Sequence, residues 1–138
     1  MIPLPDIDTE YLIGKVPKLS AVKFKLHSWH QVGERLAIGL LRPGLSRNAR
    51  SRVWMRARVE LYRLLATRDP LHEQLRNQLE TSPPQTTQEL VHLLANWLTE
   101  VVEIPLAVAA SIVSVALFQI AEHSVHDLLP TGSEDVGG

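Results

Sequence analysis

Four of the six histidines stand in two similar tetrapeptides, HSWH at 27–30 and HSVH at 123–126. On a helix, an i,i+3 spacing turns both imidazoles to one side, and two such pairs could enclose a tetrahedral metal. Glu122 and Asp127 flank the second pair, and Glu89–His92 has the ExxH spacing of carboxylate-bridged di-iron bundles. A di-iron set also needs a second ExxH and two further inward glutamates, and that set cannot be assembled from this chain. The expectation is therefore no metal and no cofactor, with the histidines serving as ordinary surface or helix-end side chains.

The second group of chemically capable residues is the stretch RPGLSRNARSRVWMRARVELYR at 42–63. It carries seven arginines, with Trp54 and Tyr62 interleaved. Guanidinium groups grip phosphates and carboxylates bidentately and stack on aromatic planes, so this is the strongest candidate binding surface in the sequence. Arg47, Arg50, Arg52, Arg56 and Arg63 are the residues expected to meet an anionic partner. No RNP pattern, zinc-finger spacing or GXXG loop accompanies them, and Trp54 also fits an apolar helical stripe, which favours a core position over a stacking platform. Catalytic signatures are missing too: there is no GxSxG elbow, no HExxH and no glycine-rich phosphate loop. Glu100 and Glu103 read as solubilising residues on an exposed helix face rather than as an acid–base pair. An enzyme is not expected.

Charge is distributed unevenly. All fourteen Lys and Arg lie between Lys15 and Arg76, whereas residues 77–138 hold eight acids and no Lys or Arg. The net charge of −1 conceals this polarity. It suggests an anionic partner for one half, a basic partner for the other, or one half facing the other. The absence of cysteine excludes disulfides, thiolate metal sites and cysteine nucleophiles. The N-terminal stretch has neither the basic region nor the apolar region of a signal peptide, so a cytoplasmic location is expected.

These residues need elements to position them. Residues 1–18, with Pro3, Pro5, Gly14 and Pro17, read as an irregular arm. Residues 19–41 support two patterns, a short strand-like alternation at 22–27 and a longer 3-4 helical spacing, and length favours the helix. Pro43–Gly44 breaks the chain and Ser46 suits an N-cap. Over 47–66, Trp54, Ala57, Leu61, Leu64 and Leu65 form one stripe, with Glu60 spaced to pair with Arg56 or Arg63. Asp69–Pro70 starts the next helix, for which Leu71, Leu75 and Leu79 form the expected inner face. Thr86 and Glu89 match a capping box ahead of an amphipathic helix whose core face holds Leu90, Leu94, Leu98 and Val101. Pro105 interrupts that helix, and a second segment follows to about Leu128.

That last segment begins IPLAVAASIVSVALFQIA, eighteen positions without a formal charge. As a helix it would cover about 27 Å, close to a hydrocarbon thickness of about 30 Å. Its flanks are acidic, however, no Lys or Arg lies near either end, and no aromatic belt is present. The better reading is a helix apolar all round because it is buried all round. The expected architecture is all-α: a compact bundle of four to five helices over 19–128 with a hydrophobic central C-terminal helix, followed by a flexible acidic tail at 129–138. The leading functional expectation is a non-enzymatic adaptor working through protein–protein contacts between its basic (15–76) and acidic (77–138) surfaces, including with itself. The alternatives are a nucleic-acid-binding subunit using 42–63 and a tail-anchored membrane protein with a span at 101–121.

Overall fold

A computed structural model describes residues 4, 6–16, 47–67 and 69–122. Among these residues the chain forms five α-helices and one 3₁₀ turn, with no strand, as expected for an all-α bundle. The helices are α1 (Thr9–Lys15), α2 (Arg47–Ala66), α3 (Glu73–Thr81), α4 (Thr87–Val102) and α5 (Leu106–Glu122), and the 3₁₀ turn Pro70–His72 leads into α3. The choice between helix and strand for 19–41, the Ser46 cap, the four tetrapeptide histidines and the tail at 129–138 lie outside the described residues.

The core is built where sequence periodicity placed it. Trp54, Ala57, Leu61, Leu64 and Leu65 of α2 are buried, as are Leu90, Leu94 and Leu98 of α4, while Val101 is half-buried. Helix α5 is the central element. Val108, Ala109 and every residue from Ile112 to Gln119 are buried, and α1, α2 and α4 all pack on it. Burying a large aliphatic or aromatic side chain contributes about 1.5–3 kcal/mol, so this helix supplies much of the driving force for the fold. The buried hydroxyl of Ser114 is satisfied locally by donating to the Ala110 carbonyl (2.8 Å).

Glu103, Ile104 and Pro105 separate α4 from α5. Glu103 adopts a left-handed conformation (φ 60°) that ends α4, and Pro105 cannot extend a helix backwards. Together these turn the axis by 117°. The stretch 101–121 is therefore not one straight rod. Among the described residues no single helix is long and apolar enough to cross a membrane, although α4 and α5 taken as a bent pair have the composition.

The structure corrects three local expectations. The arm at 1–18 is not wholly irregular, since residues 9–15 are helical. Asp8 caps this helix by accepting from the Glu10 and Tyr11 amides, and burial of Leu12 and Val16 holds it on the core. Its entry is also tied to α4, because the Asp8 amide donates to the Thr87 hydroxyl (2.7 Å). In the capping box, Thr86 accepts from the Glu89 amide, but Glu89 accepts from the Gln85 amide rather than from Thr86. The third correction concerns α3. Leu79 is buried and Leu75 half-buried, but Leu71 is 70% exposed, and the positions facing inward are His72 and Arg76.

Candidate functional site

The inward turn of His72 and Arg76 follows from the orphan carbonyls that every helix leaves at its C-terminus. α2 ends at Ala66, and Arg76 closes that end from α3. Its guanidinium donates to the carbonyls of Arg63 (2.9 Å), Leu64 (3.1 Å) and Asp69 (2.9 Å). The side chain is 2% exposed. A cation at a helix C-terminus also complements the helix dipole. Asp69 contributes from the other direction, capping the 3₁₀ turn by accepting from the Leu71 amide (3.0 Å). The turn is thereby fixed at both ends, and its rotation is set by hydrogen bonds rather than by leucine burial.

One residue later in the same turn, His72 reaches the carboxylate of Glu60. Its Nε2 lies 2.5 Å from Glu60 Oε2, and both groups are buried. An ionised carboxylate only accepts, so this geometry calls for the proton on Nε2. The second carboxylate oxygen accepts from Arg63 (3.0 Å), which completes the expected i,i+3 pair. Trp97 of α4 presents its ring edge-on to the imidazole, with centroids 5.1 Å apart at 86°. This dyad ties α2, the 3₁₀ turn and α4 to one another through a polar contact in the interior.

Above that contact an open groove of about 380 Å³ runs between the turn with α3 on one side and α4 on the other. Leu71, Leu75, Leu93 and Trp97 give it apolar walls, and His72 contributes to its inner surface. Gln74, Gln78, Asn96 and Glu100 supply a polar rim. No lysine or arginine lines it among the described residues. Arginines of α2 stand close by, Arg56 on the Val101 carbonyl beside Glu100 and Arg63 on the Glu60 carboxylate that meets His72. Between Asp69 and Glu122 the one cationic Lys or Arg side chain is the buried Arg76, while Glu73, Glu80, Glu89, Glu100, Glu103 and Glu122 are all exposed.

The arginines expected to form one binding face are put to different uses. Arg47 and Arg50 lie in the first turn of α2. Arg52 is exposed and makes no hydrogen bond or ion pair to any described residue. Arg56 is exposed but donates to the Val101 carbonyl (2.9 Å), so it caps the end of α4, which has no basic residue of its own. Arg63 pairs with Glu60, with a side chain 45% exposed. Arg58, which was not singled out from sequence, is buried with its guanidinium over the Trp54 ring (5.5 Å). Trp54 is itself buried and so presents no face to a nucleobase. On α4, His92 is exposed and Glu89 serves as a cap, so the ExxH pair does not point into the bundle.

Sequence reasoning thus found Arg63 with Glu60 and missed His72, Arg76 and the groove. A signal was present: Asp69, His72 and Arg76 are the polar residues spaced three and four apart in a segment otherwise read for its leucines. Comparison with known proteins adds nothing to this assignment, because no family model, curated protein or solved structure matches the chain.

Proposed function

We propose that this chain is a non-enzymatic interaction module that binds a protein partner through the acidic, groove-bearing face formed by the 3₁₀ turn, α3 and α4. One observation carries the reading. A large aliphatic side chain, Leu71, stands 70% exposed on a groove with apolar and polar walls, whose own elements carry exposed carboxylates while their one Lys or Arg, Arg76, is buried. Exposed apolar groups rimmed by one sign of charge are the anatomy of a docking site for a segment of the opposite sign. The complementary occupant is an amphipathic helix whose apolar residues recur at i, i+3, i+4 and i+7 with Lys or Arg beside them. A labelled leucine/lysine helical peptide is the direct probe, with a leucine/glutamate version as its counterpart. Saturable anisotropy with the first alone, abolished by Leu71→Asp, supports the reading. Equal binding of both peptides, or of neither, overturns it.

A nucleic-acid role would rest on Arg52 and Arg56, exposed a turn apart on α2. It calls for anisotropy with labelled DNA and RNA at low salt, with a steep loss of affinity as salt rises. The protein-binding reading is preferred because Arg56 and Arg63 already hold partners inside the molecule.

A further inference from the structure

Two surfaces on different elements of this molecule carry opposite members of one set of groups. On α2, Met55 is 37% exposed, with exposed Arg52 one turn before it and half-buried Val59 one turn after it. Between the 3₁₀ turn with α3 and helix α4, the groove offers Leu71, Leu75 and Trp97 as apolar walls and Glu100 as a rim carboxylate. Arg52 and Glu100 are each exposed and without a hydrogen bond or ion pair to any described residue. Met55 and Leu71 are two of the three large hydrophobic side chains exposed among the described residues.

From this match we infer that the groove's occupant is a second copy of this chain, which docks the Arg52–Met55–Val59 ridge of its α2. The inference rests on the protein-binding reading above and names its partner. The ridge has the i, i+3, i+7 spacing of a helix laid in a groove. Its central residue is an unbranched thioether, which adapts to an irregular apolar slot better than a β-branched side chain does. Arg52 then reaches Glu100, where a guanidinium fork can hold both carboxylate oxygens. Arg56 stays on the Val101 carbonyl of its own chain and is not needed for the contact. The contact inferred is the heterologous one, a single ridge in a single groove, and not the reciprocal pair that a twofold axis would close. Each added copy leaves one free ridge and one free groove, so assembly proceeds head to tail rather than stopping at a symmetric pair.

The test uses the full chain in two variants, each damaged on one surface only. Leu71→Asp with Glu100→Lys disables the groove; Arg52→Glu with Met55→Ser disables the ridge. All four positions are exposed, and circular dichroism checks that both variants fold. Sedimentation velocity at low salt, up to on the order of 100 μM, covers the range of weak heterologous interfaces. The wild-type chain is expected to grow beyond a dimer with concentration, and each variant alone to remain monomeric. Mixed in equal amounts, the variants should form a one-to-one dimer and nothing larger, since that dimer retains only the two disabled surfaces. Added salt should weaken the wild-type assembly by up to about fivefold in dissociation constant, the most that screening one exposed Arg52–Glu100 pair removes.

A wild-type chain that stays monomeric overturns the inference. So does one that stops at a dimer, or a mixture that fails to dimerise. Labelled DNA or RNA that binds the wild-type chain and is lost in the Arg52→Glu variant assigns the ridge to phosphates and likewise overturns it. If the chain is monomeric but the leucine/lysine peptide still binds the groove, self-association falls and the protein-binding reading stands. If the peptide also fails to bind, both fall.

Discussion

Replacing Arg76 by methionine should destabilise the protein by about 1–3 kcal/mol. The figure follows from what the guanidinium holds. It donates to three carbonyls, those of Arg63, Leu64 and Asp69. The Arg63 carbonyl keeps a second donor, the Thr67 hydroxyl at 2.6 Å, so it survives the substitution satisfied. The Asp69 carbonyl likewise keeps the His72 amide (3.3 Å), whereas no second donor is seen for the Leu64 carbonyl among the described residues. An orphaned buried polar group costs about 1–3 kcal/mol, and the two weakened but still satisfied carbonyls add a smaller loss. Against this stands the relief of no longer burying a cation, which offsets part of the loss. Methionine fills much of the stem volume, so little cavity cost is added. Urea unfolding followed by far-ultraviolet circular dichroism gives the midpoint and slope separately, and a lower midpoint at constant slope reports stability alone. For a chain of this size the shift corresponds to a Tm lower by roughly 3–10 °C. Arg76→Lys provides the internal control. One ammonium keeps the charge but lacks the fork that spans three carbonyls, so it should recover about half of the loss. A methionine variant within about 0.5 kcal/mol of wild type, at unchanged slope, would refute the claim that this guanidinium fixes α3.

Three further outcomes follow from the same geometry. His72→Ala leaves the Glu60 carboxylate buried with Arg63 alone and should cost about 2–4 kcal/mol, whereas replacing Glu60 and His72 together by leucine should cost less than the sum of the single changes, as a double-mutant cycle would show. Thr86→Ala removes the side chain that accepts from the Glu89 amide and should lower stability by about 1 kcal/mol in the same denaturation assay. Glu103→Gly relieves a left-handed backbone (φ 60°) and should stabilise by about 0.5–1 kcal/mol; a loss of stability there would mean that the Glu103 side chain has a role beyond ending α4.

The elements whose orientation is set by apolar burial were legible in the sequence. In α2 and α4 a wide leucine-rich stripe leaves one way to face the core, and Leu61, Leu64, Leu90, Leu94 and Leu98 are buried as their spacing requires. Helix α5 was legible for a different reason, since a helix without charges must be covered on all sides. The nine residues of α3 were not. Leu71, Leu75 and Leu79 form one plausible inner face and His72, Arg76 and Leu79 another, and apolar periodicity selects the first. The structure takes the second because Arg76 and His72 find partners on α2, and those partners become adjacent only once the chain has folded. The short helix at 9–15 escaped notice because the prolines around it read as irregular chain, while its cap and its buried Leu12 are contacts that composition does not display.

The same logic explains why the sequence charge misstates the surface charge. A basic stretch followed by an acidic one suggests two faces of opposite sign. In the fold, four of the described arginines are turned inward or held locally. Arg58 and Arg76 are buried, Arg63 is bound to Glu60, and Arg56 is bound to the end of α4. The acidic residues of α3, α4 and α5 stay at the surface, because these helices are held by apolar packing and by the borrowed arginines. Carboxylates therefore dominate the surface of residues 69–122, and among the placed α2 side chains Arg52 is left as the cation without a described partner. A binding surface inferred from a count of arginines would have been sought along the whole of 42–63. Once the internal ties of the described residues are assigned, the Arg52–Met55–Val59 ridge and the groove beside Leu71 are each small enough for one pair of substitutions to test.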